Sequence, residues 1–206
     1  MPVFIVMFLC FGSLWANQAL DKLQAVYDKT HSFEAQFKQT YWNKLFDKTT
    51  RSEGSLSYQK PGKMRWDYLK PHEKSFILNQ KTLWLVDVEE KTVQVNRCFQ
   101  EDDLVASLVF LGGRGKLKGQ FKVQSQKLKE LVLIPKTKSS VFEKLVLVFD
   151  PKTHHVLQTT IIDPDGNKNE FKFEKSRYNH RIKPAQFGYK AAPDFELLEM
   201  PGSCSK

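Results

Sequence analysis

The sequence predicts a mainly β chain, with one wide antiparallel sheet of about ten to twelve strands and two helical pieces. Three observations carry this expectation. Apolar and polar residues alternate with period two over most of the chain from Phe33 onward. Turn-forming clusters interrupt that alternation at short intervals. Only two stretches, one near the N-terminus and one mid-chain, switch to helical spacing.

The first sixteen residues, MPVFIVMFLCFGSLWA, carry no charge and are nearly all apolar. The run is short for a bilayer-spanning helix. It reads as a secretory signal peptide with Ala16 as the expected last residue removed, a cut after Gly12 or Ser13 being the alternative. Residues 17–206 then form a single domain with a loose tail after about residue 201. Cys10 follows Met7-Phe8-Leu9 and lacks the small preceding residue of a lipid-attachment site, so it belongs to the apolar run. Cys98 and Cys204 remain. Cys204 sits in a polar tail, and no structural bridge between them is expected.

From Ala19 to Thr30, Leu20, Leu23, Val26 and Tyr27 recur at helical spacing, with Asp21, Lys22, Gln24 and Asp28 between them. The period then becomes two. Phe33, Ala35, Phe37, Gln39 and Tyr41 share one face of a strand, and Glu34, Gln36, Lys38 and Thr40 share the other. Strands follow at 53–59, 63–69, 74–79, 82–88 and 91–97, separated by turns such as Lys60-Pro61-Gly62-Lys63 and Lys70-Pro71-His72-Glu73. Glu101-Asp102-Asp103 then places negative charge where a helix dipole favours it. Leu104, Val105, Leu108, Val109 and Leu111 follow, and Gly112-Gly113 closes the piece. Strands resume at 119–125, 129–135, 142–149, 155–162 and 168–175, with a further candidate at 185–190. A twisted sheet of this width curls, and alternation gives it one apolar face with which to wrap the helices.

Composition excludes several classes. Hydrophobic content of 41% with 13% aromatics argues against disorder. The net charge of +9 favours anionic partners, but the lysines are spread along the chain without a dense basic block, and no nucleic-acid partner is expected. There is no nucleophile signature, and His154-His155 stands beside a turn that sends its rings apart. Gly112-Gly113-Arg114-Gly115-Lys116 follows a helix rather than a strand, unlike a phosphate loop. These readings predict no enzyme, no metal and no cofactor.

The stretch from Gly54 to Val95 resembles the LolA family of periplasmic outer-membrane lipoprotein carriers. The likeness rests on an ordered set: Lys60-Pro61, Met64-Arg65-Trp66-Asp67-Tyr68, Pro71, Lys81-Thr82-Leu83-Trp84-Leu85-Val86-Asp87 and Gln94-Val95. "SFEAQFKQT" resembles the family's first strand, and "EDDLVASLVFLGG" its mid-chain helix. The resemblance implies an incomplete, unclosed antiparallel β-barrel, a half-barrel with a helical lid over an apolar cavity that holds acyl chains. It implies a monomer in the periplasm, with acylated lipoproteins as cargo, an inner-membrane ABC-type releasing complex as donor and an outer-membrane lipoprotein receptor as acceptor. The alternatives are a receptor or envelope lipid sensor of the same fold, or a small-molecule enzyme on a similar half-barrel.

Burying roughly fourteen methylenes of one acyl chain would gain on the order of 11 kcal/mol at about 0.8 kcal/mol each. Such a carrier must offset part of that gain, and a lid that leaves its own apolar seat does so. This nominates Phe33, Phe37, Leu56, Tyr58, Met64, Trp66, Tyr68, Leu83 and Leu85 as the cavity wall. It nominates Leu20, Leu23, Val26, Leu104, Leu108 and Leu111 as the lid. Period two puts Trp84 and Val86 on the opposite face. Where the best-studied members carry an arginine that ties barrel to lid, this chain has Lys60. Either Lys60 latches more weakly, with Arg65 sharing the task, or it is a solvated turn lysine.

Overall fold

Alternation that starts at Ser32 and recurs along the chain leaves most strands paired with their neighbours in sequence. The computed structural model describes residues 12–99, 117–137 and 143–200, and for residues 12–17 the backbone alone. Helix α1 spans Gly12–Lys29. Strands β1 (Ser32–Asn43), β2 (Lys48–Gln59), β3 (Lys63–Lys70), β4 (Lys74–Asn79), β5 (Thr82–Asp87) and β6 (Thr92–Asn96) form a meander. After the short helix α2 (Leu117–Gln120) come β7 (Phe121–Lys127), β8 (Glu130–Pro135), β9 (Lys144–Phe149), β10 (Val156–Ile162) and β11 (Lys168–Tyr178). A 3-10 turn at Pro184–Phe187 and strand β12 (Glu196–Glu199) follow. The expected mid-chain helix, with Leu104, Leu108 and Leu111, lies outside the described residues.

The twelve strands make one sheet in the order β12-β6-β5-β4-β3-β2-β1-β11-β10-β9-β8-β7. Among the described residues β7 and β12 each pair on one side only, so the sheet stays unclosed. Register carries the apolar face from β1 to β5. Ala35, Leu56, Trp66, Phe76 and Leu85 stand opposite one another in a single row. At Gly54 the β2–β3 register shifts, and a Cβ there would lie 1.9 Å from the Asp67 carbonyl oxygen and 2.8 Å from the Phe37 ring. Only glycine permits that approach.

Four expectations need correction. Helix α1 begins at Gly12, well before Ala19, because the apolar run feeding it continues its helical path. Residues 185–190 are not a strand: Pro184 lacks an amide donor and pre-sets a helical φ, so the chain makes a 3-10 turn that sinks Phe187 into the fold. Strand β12 was not foreseen, and it pairs parallel to β6, the one parallel pair among the described strands. Cys98 is disulfide-bonded, contrary to the expected absence of a bridge, and Cys10 and Cys204 both lie outside the described residues.

The sheet also has more than one apolar face. On the outer side Ile77, Val86, Val93 and Val95 form a second buried cluster with Trp84. Tyr189, Ala191 and Phe195, from the segment after β11, cover it. That segment is fixed by a polar knot on the same face. Gln186 Nε2 donates to Glu34 Oε1 (3.1 Å) and to Ser57 Oγ (2.6 Å). Arg177 donates to Glu34 Oε2 at 2.5 Å, and His180 Nε2 lies 2.5 Å from the same oxygen. Arg65 bonds Asp67 at 2.8 Å and the Gln186 carbonyl at 3.3 Å.

Burial alone would raise the Glu34 pKa, but hydrogen bonds from His180, Gln186 and Ser57 outweigh it and hold the carboxyl below its ordinary value. A depressed carboxylate stabilises the fold above its unfolded pKa, and that contribution disappears as pH falls through the folded value. Thermal melts across an acid series should therefore show wild type well above Glu34→Gln near neutrality. The gap should close once pH drops below the ordinary carboxylate range; a gap that stays constant with pH would contradict the assignment.

Candidate functional site

The nine residues nominated for the cavity wall come together on the inner face. Phe33, Phe37, Leu56, Tyr58, Met64, Trp66 and Leu83 are buried in one cluster, and Tyr68 and Leu85 are half-buried against it. They sit there because positions of one parity on β1 to β5 are paired opposite one another. Aromatic rings hold the middle. Phe37 meets Trp66 at 5.2 Å, Tyr68 at 5.1 Å and Phe171 at 5.9 Å, all edge-on, and Trp66 meets Phe171 at 5.0 Å. Edge-to-face pairs of this kind contribute about 0.5–1.5 kcal/mol each beyond their burial.

The opposite wall was not nominated, although its strands were. Leu131, Leu133, Leu145, Leu147, Phe171 and Phe173 from β8, β9 and β11 close the same cluster. Their signal was present in the alternation of Leu145, Leu147 and Phe149, and of Phe171 and Phe173.

Helix α1 covers this interior. Ala19, Leu20 and Leu23 are buried in the inner cluster, Val26 and Tyr27 are half-buried, and Asp21, Lys22, Asp28 and Lys29 face water. The helix packs against β7, β8 and α2. Two polar links hold it to α2: an ion pair of Lys118 with Asp21, and the Leu117 amide donating to Gln24 Oε1 at 2.7 Å.

The third link is Lys60. Its Nζ donates to the Tyr27 carbonyl at 2.8 Å and lies 3.5 Å from that of Asp28. A cation here meets carbonyls at the negative dipole end of α1. Thr30 Oγ1 satisfies the Val26 carbonyl at 2.8 Å. Burial lowers the Lys60 pKa, and the Asp28 charge only partly opposes this. Arg65, the other latch candidate, has the opposite parity. It points to the outer face and reaches Asp67 and the Gln186 carbonyl instead of α1.

Open space is unevenly distributed. Beside the end of α1, Val26, Tyr27, Phe33, Tyr58, His155 and Tyr178 enclose only about 20 Å³, close to the room one water needs. His155 stacks on Tyr178 there at 3.8 Å, while His154 turns to Phe149 at 5.8 Å. At the other end of the strands the concave face opens into a hollow of about 520 Å³. Tyr68, Phe76 and Leu85 form its apolar floor, and Gln39, Thr50, Ser52, His72, Lys74, Asp87 and Gln94 are among its polar lining. Of the nominated wall, Phe33 and Tyr58 border the smaller space, and Tyr68 and Leu85 border the larger one.

The chain is similar to known proteins. The family model described as "Outer membrane lipoprotein carrier protein LolA" matches residues 28–190. A Chromobacterium violaceum protein named outer-membrane lipoprotein carrier protein is 28% identical over 83% of this chain and 82% of its own length. A Pseudomonas aeruginosa protein of the same name is 24% identical over 89% of this chain and 88% of its own. Among solved structures, an uncharacterized conserved protein from Thermus thermophilus superposes with a TM-score of 0.58 at 11% identity, covering 90% of this chain and 99% of that one.

Replacing Lys60 by Met removes the charged link to α1 and should cost about 1 kcal/mol. Amide exchange in the last turn of α1 should quicken while the strands keep their protection. Lys60→Arg should restore both; a Met variant with unchanged α1 exchange would make Lys60 an ordinary surface lysine.

Proposed function

Because the chain belongs to the LolA family of outer membrane lipoprotein carriers and carries lipoproteins, we propose that α1 is the stopper its cargo displaces. One observation carries this. Leu20 and Leu23 occupy the same apolar cluster as the nine inner-face residues, while the links at the edges of α1 are few and polar. Acyl chains entering from the hollow over Tyr68, Phe76 and Leu85 would take the surface α1 covers. Part of their transfer free energy then goes into unseating the helix, so the net affinity stays low enough for release.

Cavity wall, lid and latch take their roles from this reading: Phe33 to Leu85 as wall, Leu20, Leu23 and Val26 with Leu104, Leu108 and Leu111 as lid, and Lys60 as latch. The apolar N-terminal run to Ala16 acts as a signal peptide, and residues 17–206 work as one domain in the periplasm. Cargo arrives from an inner-membrane ABC-type releasing complex and leaves to an outer-membrane receptor. The carrier is a monomer without catalytic groups.

The test mixes the purified mature chain with membranes that hold an acylated lipoprotein and its releasing transporter. A soluble one-to-one complex is expected, and a variant with Leu20 and Leu23 both changed to Ala should hold cargo more tightly and release it more slowly. Lipoprotein that stays in the membrane fraction with and without the chain would contradict carriage. Normal carriage with unaltered release in the variant would contradict the stopper alone.

A further inference from the structure

The β1–β2 hairpin ends in a feature that the interior does not explain. Between Asn43 and Lys48, Leu45 is 83% exposed and Phe46 is 75% exposed. The turn holding them out is well fixed. The Phe46 amide donates to Asn43 Oδ1 at 3.0 Å, the Lys44 amide to Asn167 Oδ1 at 2.9 Å, and Trp42 Nε1 to Asp47 Oδ1 at 2.9 Å. Behind the tip, Lys168 Nζ sits 5.2 Å from the centre of the Trp42 ring. An apolar point backed by an indole and a lysine suits the water–hydrocarbon boundary of a bilayer.

We propose that this tip is a membrane-docking point that sinks Leu45 and Phe46 into the headgroup region of a phospholipid bilayer carrying anionic lipid. The shape argues for a bilayer over a protein surface. Leu45 and Phe46 stand among the exposed Lys44, Asp47 and Lys48, and the described residues around them form no apolar patch of the breadth a stable protein interface buries. A bilayer accepts a narrow point without matching its outline. Charge agrees. Around the tip Lys44, Lys48 and Lys168 balance Asp47, Asp163 and Asp165, so the local net charge is zero. The net +9 of the whole chain supplies the attraction.

Placement gives the tip a use. Gln39, Thr50 and Ser52, which line the 520 Å³ hollow, belong to the same hairpin. The tip continues that arm by roughly 10 Å past the Tyr41–Thr50 pair, at about 3.3 Å per residue. Docking by the tip therefore brings the mouth of the hollow to the lipid surface, where cargo enters and leaves. This goes beyond carriage and does not depend on it.

The experiment is flotation of the mature chain with vesicles of equal parts phosphatidylethanolamine and phosphatidylglycerol, free of lipoprotein, against vesicles of phosphatidylcholine. Wild type should float with the anionic vesicles, more weakly as salt rises. The L45S/F46S double variant should lose at least about tenfold in partition, and Phe46→Trp should retain it. Leu128→Ser, at an 84% exposed leucine in the β7–β8 turn at the opposite end of the sheet, should float as wild type does. Absence of wild-type flotation, or equal loss in Leu128→Ser, would overturn the proposal. A lipid-free dimer abolished by L45S/F46S would assign the tip to a second copy and overturn it too. So would normal vesicle binding by L45S/F46S with failed delivery to receptor-bearing membranes, which would assign the tip to a protein.

Discussion

An apolar surface can be covered only once, and the rest of this structure depends on that constraint. The inner face of the sheet is too greasy to be left to water, and α1 is what lies on it. Leu20 and Leu23 reach into the same cluster as Phe33, Phe37 and Trp66, so the helix and an acyl chain would compete for identical atoms. Competition of this kind turns a sink into a carrier. Hydrophobic burial is non-directional, so the seat serves either occupant, and the choice falls to the weaker polar links at the helix edges. Those links are Lys60 on the last carbonyls of α1 and the contacts of Lys118 and Leu117 with Asp21 and Gln24.

A removable cover needs a wall that keeps its shape without it. The outer face supplies one. The segment from His180 to Phe195 straps across β1 to β6, pinned by the Glu34 knot at one end and by the Trp84 and Val93 cluster at the other. Parallel β12 and the Arg97–Glu199 ion pair at 2.8 Å extend the strap to the sheet edge. Part-buried polar groups fix geometry on the outer face, whereas the inner face is held mainly by apolar packing. Strength on the convex side and exchangeable contacts on the concave side fit a scaffold that opens without unfolding.

Much of this was legible in the chain. Period-two runs from Phe33 to Val95, broken by proline and glycine turns, predicted the meander and placed all nine wall residues on one face. Parity alone sent Trp84 and Val86 outward. What covers them could not be read, because the strap contacts β4 to β6 across about a hundred residues of sequence and carries little periodicity of its own. Strand β12 hid for the same reason: four residues pairing parallel with a distant strand leave no local signature. Pro184 defeated the strand expected at 185–190. Lys60 illustrates another limit. Its residue type suggested either a latch or a solvated turn, and its contact with the Tyr27 carbonyl was not legible in the chain.

The central claim is that loading cargo unseats α1 from the inner face. Amide hydrogen exchange of the chain, empty and then loaded with a tri-acylated peptide, addresses it directly. Faster exchange from Leu20 through Tyr27 in the loaded form, with β1 to β3 as protected as before, is the predicted result. Equal or stronger protection of α1 on loading would mean that the fatty chains lodge elsewhere, and the account would fail.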